Sequence, residues 1–473
     1  MKKAFCKRAG SAVVIAAVSF AKHIVQRVRF STRVWQYPGK QPYLLGLVLF
    51  SSLYLGAQPA HVSIQTTVLH RIHAYLDKEN KLQGFYAVTD SAFLMYASEA
   101  KKAKGEPEFT VYWTELGRFK ADLNDLSASL NATNPSGIIY RWEPAHTPLT
   151  DTSIHPAFHP AGGLLLANIR IALDPGHTAE TLESGKTEQK YIHILPDPAN
   201  QTSEEITLVE GHLTLGTALT LKHQLEEAGA TVLLTRQKPG ETAFGTSFED
   251  WCKNHLAHAL DSLVACKSIT SEQRVFYKTK ADKRRIFRDI FRDIELQKRA
   301  DVINAFHPDL TVIIHYNVDE KNTDWKKLSS KNYVMTFIGG AMLPSDLNKK
   351  TKRLEFLRMA LTDDLNKSDL LSSEVVTSFS EVLQVPIASK NQAEYLEHNC
   401  MATSHAGVYC RNLILTRLIH GPLVYGESLY QDNMKESSSL QQEDKQIDGV
   451  GTSPRCRQVA AAYFKGILSY CIK

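Results

Sequence analysis

From residue 164 onward, short apolar runs alternate with stretches in which apolar positions recur every three or four residues. The short runs predict strands over 169–173, 231–235, 310–314, 333–338 and 422–426. The periodic stretches predict helices over 210–228, 299–306, 351–365 and 457–468. Strands alternating with helices imply an α/β fold, a mixed β-sheet flanked by helices, filling residues 166–473. Upstream the pattern changes. GFYAVTDSAFLMYAS and EFTVYW read as strands and ADLNDLSASL as a short helix, which makes residues 61–145 a smaller N-terminal α+β accessory domain. A Pro-rich stretch then predicts a linker over 146–165.

The N-terminus follows neither pattern. Residues 1–42 carry nine Lys or Arg and no acid, and the apolar run YLLGLVLFSSLYLGA follows at 43–57. That run is short for a membrane span and suits the core of a signal peptide, so residues 1–60 are expected to be an export signal or an N-terminal anchor. Without them the formal charge of +5 becomes −4, because nine basic residues leave and no acid does. The basic balance therefore belongs to the leader and makes no case for nucleic-acid binding. An exported, periplasmic or secreted chain favours disulfides. Beyond Cys6, six cysteines fall into three sequence-local pairs, and the expected bridges are Cys252–Cys266, Cys400–Cys410 and Cys456–Cys471.

Three separated polar residues carry the candidate chemistry. His177 ends the string IALDPGH, Glu210 opens the helix candidate at 210–228, and His315 lies in TVIIHYN. Two imidazoles and one carboxylate are a ligand set for one zinc ion that leaves a position open for water, the mark of a hydrolase. His177, His315 and Glu427 each lie close to the end of a strand candidate, where sites collect in α/β folds. The proline and glycine before His177 would set a tight turn, and Asp174 is placed to orient its imidazole from behind. Asn317 points the same way as His315. Glu210 also ends the string Thr207-x-x-Glu210, a capping box in which the glutamate merely satisfies a backbone N–H. A histidine at a strand end is equally compatible with a structural hydrogen bond.

The framework around these residues resembles the zinc-dependent N-acetylmuramoyl-L-alanine amidases of the Amidase_3 type. The resemblance spans about residues 168–470. It rests on Leu215, Ala218, Leu221, Leu225, Gly229, Val232 and Thr235-Arg236 after Glu210, then on Arg299, Asn304 and Ile314-His315-Tyr316-Asn317, and last on Arg417, Pro422, Glu427 and Asn433. It implies that His177, Glu210 and His315 hold zinc and that Glu427 is the catalytic carboxylate, with Arg299 beside them. The implied reaction cleaves the amide between N-acetylmuramic acid and L-alanine in peptidoglycan. The glycines usual after DPGH are here Thr178-Ala179, and the Gly-Phe usual after the catalytic glutamate is here Leu429-Tyr430.

Residues 237–298 form an insertion. Phe248, Trp251, Cys252, His255, Leu256, Ala259, Leu260 and Leu263 make an apolar stripe at helical spacing, and the basic segment KADKRRIFRDIFRDIELQKR follows. The stripe reads as packing, or as a regulatory lid over the zinc cleft on which a protein activator would act, because some members of the family carry an inserted helix there. Two other functions compete with the amidase. One is a catalytically silent wall-binding or regulatory protein on the same fold. The other is a zinc peptidase acting on the stem peptide.

Overall fold

A computed structural model describes residues 63–120, 164–197 and 203–472, which fall within one compact unit. The expected leader, the short helix candidate after residue 120 and most of the Pro-rich linker lie outside the described residues. No helix among the described residues is long and apolar enough to cross a membrane.

The chain first forms a three-stranded antiparallel sheet, β1 (Tyr86–Val88), β2 (Ala92–Met95) and β3 (Phe109–Tyr112). β4 (Arg170–Pro175) begins the main architecture. β5 (Tyr191–Ile194) and β6 (Ile206–Val209) form a hairpin-like pair before helix α1 (Glu210–Glu227) and β7 (Thr231–Leu234). The insertion contributes α2 (Phe248–Ala265) and α3 (Ser271–Thr279), and α4 (Arg292–Phe306) leads into β8 (Leu310–Asn317). Then come β9 (Met335–Ile338), α5 (Asp364–Leu383), β10 (Cys400–Ala402), β11 (Val408–Arg411), β12 (Leu423–Tyr430), β13 (Lys445–Ile447), β14 (Val450–Thr452) and α6 (Pro454–Ile472).

Seven strands make the central sheet in the order β10-β11-β9-β12-β8-β4-β7. β7, β4, β8 and β12 are parallel, whereas β9 runs antiparallel to β12, so the sheet is mixed as expected. Alternation along β8 sorts its two faces. Val312, Ile314 and Tyr316 enter the main core, and Ile313 enters a second cluster with Ala300, Ile303 and Leu423. α1, α5 and α6 cover the first face, and α4 covers part of the second. His315 and Asn317 keep step with Ile313 and so belong to the second face.

Five strand candidates form, each within a few residues of its expected limits. The pair β10 and β11 carries no long apolar run and is legible only through its ladders. The helix expected over 351–365 is two helices, Lys350–Leu361 and α5, separated at Thr362 and Asp363. The N-terminal α+β layer shares the main core through Val68, Ile72, Phe93 and Phe109. Arg71 ties it down by donating to the Ala360 carbonyl at 2.8 Å and pairing with Asp363 at 3.0 Å.

The three expected disulfides are not formed, and all six cysteines beyond Cys6 are free thiols. Geometry excludes each pair. Cys252 lies in α2 and Cys266 caps its end, and Cys456 and Cys471 lie in α6. Residues 14 or 15 apart on one helix are separated by roughly 21–22 Å at about 1.5 Å per residue, whereas a disulfide needs Cα atoms within about 7 Å. Cys400 opposes Arg411 while Cys410 opposes Met401, so the two thiols leave opposite faces of the sheet, into different clusters. Mass mapping of the unreduced chain should recover these six cysteines as unmodified thiols.

Candidate metal centre and its surroundings

His177, Glu210 and His315 arrive from three elements at one point. The loop after β4 carries His177, the first turn of α1 carries Glu210, and β8 carries His315. One ligand atom from each lies within 4.8 Å of the others. Glu210 Oε1 stands between the imidazoles, 3.3 Å from His177 Nε2 and 3.0 Å from His315 Nδ1. The rings meet edge to face with centroids 4.8 Å apart.

The capping-box reading of Glu210 does not hold. Thr207 lies in β6, and Val209 precedes the helix without a side-chain cap. Glu210 is 1% exposed and accepts from the Tyr316 N–H at 3.2 Å and from Gln431 Nε2 at 3.3 Å. A buried carboxylate at a helix N-terminus between two imidazoles is built to meet positive charge.

The turn is built differently from expectation. His177 itself takes the left-handed conformation, with φ 62°, and Gly176 serves for close approach: a Cβ there would lie 2.3–2.7 Å from the His315 ring. Asp174 does not orient His177. It lies in β4 and points to the second face, where it accepts from Thr235 Oγ1 and from Arg299 Nη1 at 3.2 Å. Arg299 also donates to the Pro175 carbonyl at 2.8 Å and to the His177 carbonyl at 3.1 Å, and it pairs with Glu295 at 2.7 Å. Asp174 and Arg299 thus clamp the backbone of the loop.

The carboxylate that meets His177 is Glu188, which the sequence reading missed. Its Oε1 lies 3.0 Å from His177 Nδ1, and its Oε2 accepts from the N–H groups of Thr178 and Ala179 at 3.1 and 2.9 Å. Glu188 ends the helix Leu182–Glu188. The only sequence signal was an acid eleven residues past His177, with no fixed spacing to mark it. Outer carboxylates of this kind set the tautomer and orientation of a ligating histidine. Glu188→Gln should weaken metal binding by roughly 10- to 100-fold, measured by competition with a chromophoric chelator.

Charge reinforces the geometry. Burial works against charge on His177, but Glu210 and Glu188 overcome it and push its pKa up to about 9. Burial pushes His315 down to about 4. Burial opposes charge on Glu210 too, yet the adjoining His177 and Lys190 hold its carboxyl well below the usual range. Glu427, from β12, pairs in register with His315 across the sheet. Burial, then the charge of Glu210, pushes its carboxyl up to about 7. His177 Nε2 and Glu427 Oε2 are both buried without a hydrogen-bond partner. Two orphaned polar atoms beside a His-Glu-His cluster fit a cation and its bound water.

Residues 171–451, more than half of the chain, match the Amidase_3 family, described as N-acetylmuramoyl-L-alanine amidase. The chain belongs to this amidase family. Among solved structures, it is similar to the CwlD amidase from Clostridioides difficile, in a complex with the GerS lipoprotein, at 17% identity over 64% of this chain and 98% of that one, with a TM-score of 0.34. The amidase Ami1 from Mycobacterium smegmatis is 14% identical over 65% of this chain and 98% of its own, with a TM-score of 0.35. The catalytic domain of CwlV from Bacillus (Paenibacillus) polymyxa var. colistinus is 15% identical over 64% of this chain and 97% of its own, with a TM-score of 0.32. No curated protein matches the sequence.

Other amidase residues lie around the centre. Asn317 does not face the ligands; its Nδ2 donates to the Tyr395 hydroxyl at 2.8 Å. Gln431, fully buried, holds the second oxygen of Glu210, and sequence reasoning missed it because its backbone position sits beyond a bulge in β12. The insertion has its own core, in which Phe248, Trp251 and Leu260 pack on Phe287, Ile290 and Phe291. Its basic segment is largely an exposed face, paired within itself as in Arg285–Asp289. A cleft of about 400 Å³ separates the insertion from the loop of His177 and the helix of Glu188, lined by Thr178, Glu183, Glu188, Phe248, Lys283 and Phe287 among others.

Proposed function

We propose that this amidase uses one zinc ion, held by His177, Glu210 and His315, to hydrolyse the bond between N-acetylmuramic acid and L-alanine in peptidoglycan. The observation that carries the proposal is the convergence of three ligand atoms within 4.8 Å beside an unpartnered Glu427 oxygen. Two imidazoles and one carboxylate suit zinc with an open position. When bound, zinc supplies a water of lowered pKa and polarises the scissile carbonyl. Glu427 takes the proton of the attacking water at its free oxygen and delivers it to the departing nitrogen of L-alanine. Glu188 keeps Nε2 of His177 aimed at the centre, and Gln431 holds Oε2 of Glu210 while Oε1 faces the two imidazoles.

Export to the cell wall accords with this substrate and with the basic, then apolar, leader. The thiols lend export no support. The insertion is a site for regulation. It packs on the helix that carries Glu188, so a protein activator that moves it reaches His177 through that carboxylate.

Purified peptidoglycan digested with residues 61–473 tests the proposal, read by mass spectrometry. Free stem peptides beginning at L-alanine are expected, and a chelator should abolish them. Release of peptides lacking L-alanine would mean a peptidase instead. A zinc-loaded protein that releases nothing, and still releases nothing once the insertion between Phe248 and Ile290 is shortened, would refute the amidase reading.

A further inference from the structure

The face of the sheet that carries Glu427 also carries a cation that, among the described residues, forms no ion pair with an acid. Arg411 closes β11, and the registers of β11 on β9 and of β9 on β12 place Glu427, Tyr425, Phe337, Tyr409 and Arg411 on one side. Ring contacts lead outward from the metal centre. His315 stacks on Tyr425 at 4.5 Å, and Tyr425 meets Phe337 at 5.9 Å. The guanidinium carbon of Arg411 lies 5.0 Å from the Phe337 ring and 4.7 Å from the Tyr395 ring. Tyr395 is held in turn by Asn317, two residues past His315. The rings fix the guanidinium in place, but they occupy none of its N–H donors. Among the described residues no carboxylate forms an ion pair with it, whereas Arg71, Arg353, Arg358 and Arg417 are each paired with an acid. Arg411 is half-buried. Lys78 and Lys390 add positive charge beside it, around the Cys400 thiol.

We propose that Arg411, seated on Tyr395 and Phe337, is a subsite for a free carboxylate of the peptidoglycan stem peptide. The inference rests on the amidase reading. An extended peptide advances about 3.3–3.6 Å per residue. The registers set Arg411 two strands across and four residues along from Glu427, so a stem that leaves the cut along this face runs toward the guanidinium. A carboxylate there takes two parallel hydrogen bonds from Arg411, which an amide cannot reproduce. Arg411 thus discriminates between stems with free and with amidated carboxyls, and Asn317 acts through Tyr395 as a positioning residue.

The test uses soluble N-acetylmuramoyl tripeptides in which the carboxyl of the second or of the third residue is free or amidated. For the zinc-loaded protein, amidation at one of the two positions should lower kcat/KM by roughly 10- to 100-fold, mainly through KM. Arg411→Gln should lose that preference and cleave the free and amidated substrates with similar kcat/KM, and Arg411→Lys should recover part of it. Calorimetry of the released tripeptides, free and amidated, gives the same comparison without turnover. A wild-type protein that binds and cleaves all forms equally overturns the subsite, as does an Arg411→Gln protein that keeps the preference. Failure of wild type to cleave any form counts against the amidase reading alone, and peptide binding then decides the subsite.

Discussion

Replacing Glu427 with glutamine should lower the release of stem peptides by roughly 10²- to 10⁴-fold, the usual contribution of a positioned acid–base group, and leave metal content unchanged. Glutamine keeps the size of the side chain and cannot accept a proton. Glu427 is 8% exposed, its Oε2 has no hydrogen-bond partner, and its register partner is His315. Burial and the charge of Glu210 push its carboxyl up to about 7 in the absence of a cation. The carboxyl is not one of the three converging ligands, so its loss should spare zinc. Elemental analysis and digestion of the same preparation check both halves. A variant with wild-type turnover would remove Glu427 from the mechanism, and one that loses its metal would make it a ligand.

Gly176→Ala should cost the protein its metal. The added carbon would lie 2.3 Å from Cε1 and 2.4 Å from Nε2 of His315, inside van der Waals contact. Neither side can yield easily. The Gly176 N–H donates to the Ile314 carbonyl at 2.9 Å, and Arg299 and Arg236 grip the neighbouring carbonyls. The His315 ring is confined by its stack on Tyr425 at 4.5 Å and its contact with Glu210 at 3.0 Å. Overpacking of this kind costs about 1–3 kcal/mol, and displacement of the ring breaks the ligand set. The prediction is a lower melting temperature together with substoichiometric metal after dialysis. Gly240→Ala is the control, since nothing lies within 4 Å of its added carbon and only its φ of +69° is strained. It should lower stability modestly and keep full metal occupancy. Full occupancy in Gly176→Ala would show that the loop can shift, and would remove the glycine from the account of the site.

Much of this protein was written locally. The apolar runs that became β4, β7, β8, β9 and β12, and the periodicity of α1 and α6, follow from burial of one face or both, which depends on nearby residues. The ligand candidates were legible for the same reason: each polar residue interrupts or ends an apolar pattern where a buried charge needs a partner. What tertiary structure alone decided is which groups meet across long stretches of chain. Glu188 rather than Asp174 reaches His177 because the helix Leu182–Glu188 folds back on the loop, whereas β4 points Asp174 toward Arg299. Glu210 is a ligand candidate and not a cap because Thr207 is drawn into β6. The cysteine pairs fail because neighbours in sequence lie far apart along one helix or on opposite faces of a strand pair. Spacing along the chain sets which face a side chain leaves by, and only packing sets what stands opposite it.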